Sequence, residues 1–203
     1  IFIRHGQTTG DVEDRFGGWY DDVLSPLGEQ QAATLAEELA LKGIEKIFSS
    51  PLKRAQQTAQ AVADRVTCPV IPVPDLRERN ANGPLTGLTK ADARARYPDL
   101  VMLVKDRLNT LPGAESYDDH KARVTKGLAE VLAHTRECSA IVWHGGCMRV
   151  LFRDILKWGE LNEIGDCAWV ALERTDPTAP FEVIESMRIV HSVSSHDRAH
   201  CKG

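Results

Sequence analysis

The chain has 203 residues and a mass of 22.5 kDa, the size of one ordinary domain, able to bury roughly 70% of its unfolded surface without disulfides or metals. Apolar residues make up 42% and charged residues 27%, which excludes a disordered or fibrous chain, and no apolar run approaches the ~18 residues of a membrane span. A formal charge of −4 argues against a nucleic-acid or anionic-membrane partner but leaves room for a small basic pocket.

Taken in order, strand-like runs alternate with helix-like ones. Ile1 to Ile3 reads as the tail of an apolar strand, and since the chain opens there without Met, a trimmed N-terminus is expected. Leu27, Gln31, Leu35 and Leu39 recur every four residues, behind Ser25 as N-cap and Pro26 at the first helical position, with Gly43 as the stop. Residues 44–49 read as a buried strand, followed by a helix capped by Ser50 whose Ala55, Ala59, Val62 and Val66 face inward. Residues 69–73 form a proline-bounded strand, 75–87 a loop, 90–97 a helix, and about 116–135 a longer helix. Residues 140–146 are a strand entering a glycine turn, with an amphipathic helix behind it as far as Trp158. Residues 168–172 and 181–190 complete the sheet.

This alternation predicts an α/β fold with three layers, a mostly parallel central sheet covered by helices on both faces. We expect a single domain over residues 1–190 and a mobile polar tail over 191–203. The five cysteines are an odd number, widely spaced and without a CxxC pair. They suit a reducing, cytoplasmic compartment rather than a disulfide framework or a zinc site.

Chemistry concentrates where strands end. The first strand runs into Arg4-His5-Gly6, the second into Ser50-Pro51-Leu52-Lys53-Arg54, and another into His144-Gly145-Gly146. Open α/β sheets bind ligands at the carboxyl ends of their strands. Arg54 also falls in a first helical turn, where the dipole disfavours a cation by about 0.3–1 kcal/mol unless an anion sits nearby. Each feature taken alone has a bland reading, as a hydrogen-bonded core histidine or a solvated arginine. Gathered at one sheet edge, the two arginines and two histidines would make a phosphate pocket with an imidazole nucleophile.

The motifs read together are more specific. RHGQT at 4–8, RFGGWYDDVLSPLGEQQA at 15–32, SSPLKRAQQTA at 49–59, LRERNANGPLTGLTKADA at 76–93, GAES at 113–116 and HGGCMR at 144–149 occur in the order found in the histidine phosphatase superfamily. In these stretches the chain resembles that phosphoglycerate mutase-like family, over residues 1 to about 158. The resemblance implies that His5 is the nucleophile that becomes a phosphohistidine. It also implies that Arg4, Arg54 and His144 hold the phosphoryl oxygens, with His144 most effective when protonated. Glu78 matches the general acid that protonates the leaving group and then activates water. Gly17, Gly18 and Gly145 would let backbone N–H groups approach the phosphate. No metal and no cofactor is implied, because arginines neutralise the transferring charge.

Asp11 departs from the asparagine usual at its place, and a carboxylate near phosphate is repulsive unless it is paired or turned toward a hydroxyl. The segment after Glu78 runs about one residue longer than the mutase-like pattern. The implied function is a phosphatase acting on a small phosphorylated metabolite, with a cofactor-dependent phosphoglycerate mutase as the alternative and a non-catalytic binding module on the same fold as a remote third. In the mutase reading Arg79 and Lys90 would meet the carboxylate end of phosphoglycerate. GAES, HGG in place of HGN, and the missing proline-rich insertion favour the phosphatase.

Overall fold

The computed structural model describes residues 1–135, 138–176 and 179–191. Strands β1 (Phe2–Arg4), β2 (Lys46–Ser49), β3 (Val70–Pro72), β4 (Ser139–Trp143), β5 (Leu161–Glu173) and β6 (Glu182–His191) form one six-stranded sheet in the order β3-β2-β4-β1-β5-β6. The first four named in that order are parallel, with Ile47 opposite both Val70 and Ala140, and Phe2 opposite Ile141. The last two strands run antiparallel, β5 against β1 and β6 against β5. The sheet is therefore mixed, parallel through its functional half and antiparallel at one edge.

Helices α1 (Thr9–Val12), α2 (Pro26–Leu39), α3 (Lys53–Val66), α4 (Lys90–Arg96), α5 (Pro98–Leu103), α6 (Tyr117–Ala133) and α7 (Gly145–Val150) surround it. Because side chains alternate across a strand, Ile3, Ile47 and Val142 point to one face and meet Leu35, Leu39, Ala55, Ala59 and Val62 of α2 and α3. Their neighbours Phe2, Phe48, Ile141 and Trp143 point to the other face and meet Val124, Leu128 and Met148 of α6 and α7. Strands buried on both faces give the continuous apolar runs read in the sequence.

Ser25 caps α2 as expected, its Oγ accepting from the Gly28 amide at 3.0 Å. Leu27, by contrast, is exposed, and Ala32, Leu35, Ala36 and Leu39 carry the buried face. Ser50 does not cap the next helix. Leu52 occupies the N-cap of α3 without a side-chain bond, and the Ser50 hydroxyl, two residues earlier, lies 2.7 Å from His144 Nε2 and accepts from the Leu52 amide at 3.3 Å. The helix after the glycine turn stops at Val150, and residues 151–155 wind as a π-turn. Strand β5 starts earlier than residue 168. The irregular stretch between Ile164 and Trp169, with Cys167 at φ 52°, hides its period.

Between β3 and β4 the chain leaves the core and returns. Residues 80–115 form a lobe containing α4 and α5, with its own small cluster of Leu85, Ala93 and Leu111. Its two ends are bonded to each other: the Glu115 amide donates to the Asn80 carbonyl at 2.8 Å, and the Asn80 amide to Glu115 Oε2 at 3.2 Å. His191 closes β6, and the tail expected beyond it lies outside the described residues.

Candidate active site

Sheet register assembles the site. Arg4 at the end of β1 lies opposite Trp143 at the end of β4, and Ser49 of β2 lies opposite Val142. The following residues, His5, Ser50 and His144, therefore emerge together at the carboxyl edge. The His5 and His144 rings lie 5.1 Å apart, edge to face. Beside them opens a cleft of about 290 Å³ bordered by Arg4, His5, Arg54, Glu78 and Gly145.

The tautomer of His5 follows from its partners. Nδ1 lies 2.8 Å from the Gly6 carbonyl, which can only accept, so Nδ1 carries the proton. Nε2 lies 3.2 Å from Arg54 Nε, which can only donate, so Nε2 presents its lone pair. Burial, reinforced by the Arg54 and Arg4 charges, holds this imidazole well below the ordinary histidine range. His5 is a neutral base with its free electron pair on Nε2.

Arg54 is buried in the first turn of α3. Besides His5 it donates to the Tyr20 carbonyl at 2.8 Å, the Gly18 carbonyl at 2.9 Å and Asp22 Oδ1 at 2.9 Å. The protein itself supplies the anion that a cation at this helix end requires. Asp22, whose other oxygen accepts from the Gly10 amide at 3.2 Å, is a site residue the sequence reading missed. Arg4 is held by the irregular stretch of β5, donating to the Ile164 carbonyl at 2.6 Å with Asp166 at 3.3 Å.

Glu78 is anchored through both oxygens: Oε1 accepts from the Arg79 amide at 2.7 Å and Oε2 from the Gly146 amide at 3.0 Å. Its backbone carbonyl accepts from Trp19 Nε1 and from Arg123 Nη2. Arg123, on α6, also grips the Asp75 and Arg77 carbonyls and is paired with Glu115 at 2.8 Å. One half-buried arginine thus fixes the segment that carries Glu78. Arg123 was not singled out from the sequence, although GAES, which contains Glu115, was.

Other expectations need correction. His144 is fully buried, and burial with the Arg54 charge drives its pKa well below the usual value, so it is neutral in the free protein rather than protonated. Its Nε2 meets Ser50 Oγ, while Nδ1 has no protein partner. Asp11 borders the cleft, but its Oδ2 accepts from both the amide and the hydroxyl of Thr8 at 2.9 Å, closing a capping box on α1. At the Gly17-Gly18 turn it is the Gly18 carbonyl that faces Arg54. Gly18 sits at φ 67° with the Arg79 carbonyl 3.1 Å from where a Cβ would lie.

Arg79 and Lys90 do not border the cleft. Arg79 is buried and spends its guanidinium on the carbonyls of Glu115, Arg107 and Asn109, tying the lobe down. Lys90 pairs with Asp14 on the protein surface. Gly145 does border the cleft, and so do Thr8, Gly146, Arg149 and Ile164, to which no role had been given.

The family model described as the histidine phosphatase superfamily (branch 1) matches residues 1–184. The chain belongs to the histidine phosphatase superfamily. Within it, the chain is 34% identical over 161 residues to a metal-independent phosphoserine phosphatase of Arabidopsis thaliana, covering 75% of this chain and 66% of that one. It is 36% identical over 163 residues to a 2,3-bisphosphoglycerate-dependent phosphoglycerate mutase of Rhizobium rhizogenes, covering 74% and 76%. Among solved structures, a mycobacterial glucosyl-3-phosphoglycerate phosphatase in complex with VO3 superposes with a TM-score of 0.76 at 29% identity, covering 95% of this chain and 98% of that one.

One cluster of this histidine phosphatase chain has the composition of a metal site. Glu78, His120 and Cys147 bring ligand-type atoms within 4.8 Å of one another. Burial pushes the Cys147 thiol well up, so it stays protonated, 3.7 Å from His120 Nε2. Both Glu78 oxygens already accept from amides. The trio reads as packing behind the carboxylate, since a thiol ligand must first lose its proton. No described helix is long and apolar enough to cross a membrane.

Proposed function

We propose that this chain is a phosphatase that hydrolyses small phosphate monoesters through a phosphohistidine at Nε2 of His5. The observation that carries the reading is the fixed tautomer of His5. A carbonyl holds the proton on Nδ1, and the lone pair of Nε2 sits beside two arginines at the floor of an open cleft. Nε2 attacks phosphorus, an N–P bond forms and the ester P–O bond breaks. Glu78, entering the step protonated, gives its proton to the departing oxygen. In the second half the Glu78 carboxylate takes a proton from water, the resulting oxygen nucleophile attacks phosphorus, and the P–N bond breaks to restore His5 and release phosphate.

Arg54 Nε rests on the Nε2 lone pair and must turn from it to a phosphoryl oxygen as substrate arrives. The buried, unpartnered Nδ1 of His144 is a further position for such an oxygen, and satisfying it removes a penalty of about 1–3 kcal/mol. Arg4 and Arg54 supply fixed positive charge where the equatorial oxygens gather theirs, which is the part a metal ion would otherwise take.

The mutase reading is favoured by the Rhizobium relative. Against it, Arg79 and Lys90, the residues expected to hold phosphoglycerate, are committed elsewhere. Quenching the enzyme in alkali during turnover of p-nitrophenyl phosphate and keeping it alkaline through digestion tests the proposal. Acid-labile, base-stable phosphate on His5 that vanishes in His5→Ala is the expected result. Full activity of His5→Ala would overturn it.

A further inference from the structure

His144 is fully buried and neutral, so what it can offer a phosphoryl oxygen depends on which ring nitrogen carries its single proton. Nδ1 is the buried atom without a protein partner, and Nε2 lies 2.7 Å from Ser50 Oγ. The place of the proton is therefore set by what the Ser50 hydroxyl does.

Ser50 is itself fully buried. Its backbone is fixed at the carboxyl edge of the sheet, where its amide donates to the Val142 carbonyl at 2.9 Å and its carbonyl accepts from Ser49 Oγ at 2.9 Å. A hydroxyl has one proton to give and two lone pairs to accept with. The Leu52 amide takes one lone pair, donating to Oγ at 3.3 Å. Among the described residues, Oγ has one other partner, Nε2 of His144. Were the imidazole proton on Nε2, the hydroxyl would accept twice and its own proton would be buried without an acceptor. Nδ1 would then turn a lone pair toward the phosphoryl oxygens. With the proton on Nδ1, the hydroxyl donates to Nε2, and the one group left waiting is an N–H that bound phosphate satisfies. A second ring proton is opposed by the surroundings, since Arg54 from α3, His5 and Arg4 from the end of β1, and Arg123 from α6 all disfavour an imidazolium here.

We propose that Ser50 is a positioning residue that holds His144 as its Nδ1–H tautomer, so that His144 donates a hydrogen bond to the phosphoryl group while remaining neutral. The two histidines are then the same tautomer put to opposite uses. His5, its Nδ1 proton held by the Gly6 carbonyl, offers a lone pair, and His144, its Nε2 held by Ser50, offers a proton. No bond to hydrogen is made or broken at His144. The use of the donor rests on the phosphatase reading, but its test does not, because a tautomer is read without turnover.

Protein labelled with 15N at histidine reports the tautomer through long-range correlation of the carbon-bound ring protons with the two ring nitrogens. The His144 signals are those missing in His144→Gln. At pH 8 they should show Nδ1 protonated and Nε2 bare, both in the free protein and with saturating inorganic phosphate. An Nε2–H or mixed tautomer in the free protein, or a ring that gains a second proton when phosphate binds, would overturn the proposal. In Ser50→Ala the Nδ1–H signature should be lost, and kcat on p-nitrophenyl phosphate should fall about 10- to 100-fold, the range of a hydrogen bond to a charged group. Ser50→Thr, which keeps the hydroxyl, should restore both. A slow Ser50→Ala that keeps the wild-type signature, or a changed signature with an unchanged rate, is equally fatal. If neither variant melts cooperatively, the wild-type spectra decide. Failure of the wild type to hydrolyse p-nitrophenyl phosphate, with its signature intact, would remove the phosphatase reading and keep the assignment of Ser50.

Discussion

Gly146 and Glu78 are fitted to each other. The Gly146 amide donates to Glu78 Oε2 at 3.0 Å, and a Cβ on Gly146 would lie 2.2 Å from Oε1. No other amino acid fits at 146 with Glu78 where it is, so the second glycine of HGG is a requirement of the carboxylate rather than of the phosphate.

Gly146→Ala should therefore displace Glu78 and leave the fold intact. A catalytic group moved by about 1 Å costs on the order of 10²-fold. Steady-state kinetics should show kcat on alkyl phosphates falling by that order, while circular dichroism and the melting temperature change little. An unaltered kcat would mean that Glu78 has no part in the rate.

Glu78→Gln removes the proton source and, because a Gln amide nitrogen cannot accept, one of the two bonds from the Arg79 and Gly146 amides. The loss on an alkyl phosphate should reach about 10²–10⁴-fold, and p-nitrophenyl phosphate, whose leaving group needs little protonation, should lose much less. Equal losses on the two esters would assign the carboxylate some other task.

Asp22 and Arg54 are a buried ion pair with 5% of each side chain exposed. Removing one member of such a pair leaves an uncompensated charge, at a cost of about 3–5 kcal/mol. Asp22→Ala should lower the denaturation midpoint accordingly and raise KM for every substrate, since Arg54 would lose its orientation. A variant as stable as wild type would show that the pair contributes nothing.

Acid should weaken the protein through its histidines. His5, His120 and His144 are buried, and burial lowers all three pKa values below the unfolded value of about 6.5. Below that pH the unfolded chain binds more protons than the native one. Stability is therefore fully present above 6.5 and is lost as pH falls toward the folded values, by about 1.4 kcal/mol per pH unit for each histidine. Scanning calorimetry from pH 7 to 5 should show a falling melting temperature, with a shallower slope in His120→Asn. A slope unchanged by that substitution would clear His120 of any share.

Chelation should leave the activity untouched if arginines neutralise the transferring phosphate. Dialysis against EDTA is expected to preserve the rate of p-nitrophenyl phosphate hydrolysis, with vanadate inhibiting competitively. Activity lost on chelation and restored by magnesium would assign the charge compensation to an ion.

Much of this was readable before any coordinates. The parallel half of the sheet was visible because strands buried on both faces leave unbroken apolar runs, and Ser25-Pro26 announced α2. The polar residues at three strand ends come together beside one cleft, since parallel strands deliver their carboxyl ends to one edge. What escaped the sequence was partnership. Asp22 looked like any acidic loop residue until Arg54 was seen against it, and Arg79 looked like a free cation until three carbonyls were found around its guanidinium. Ser50 has the residue type of a helix cap, but its hydroxyl is held by His144, 94 positions away, and no local pattern encodes that.

The bonded base of the lobe has a practical meaning. Asn80 and Glu115 hold its two ends together, and Arg79 and Arg123 fasten that base to the frame from opposite sides. The lobe is clamped along its flank as well, where the Phe16 amide donates to the Leu88 carbonyl at 2.9 Å, the Gly87 amide to the Phe16 carbonyl at 2.8 Å and the Lys90 amide to the Asp14 carbonyl at 2.8 Å. A designer who exchanges residues 81–113 as one piece must therefore carry the matching edge at residues 14–16 along with the four anchors.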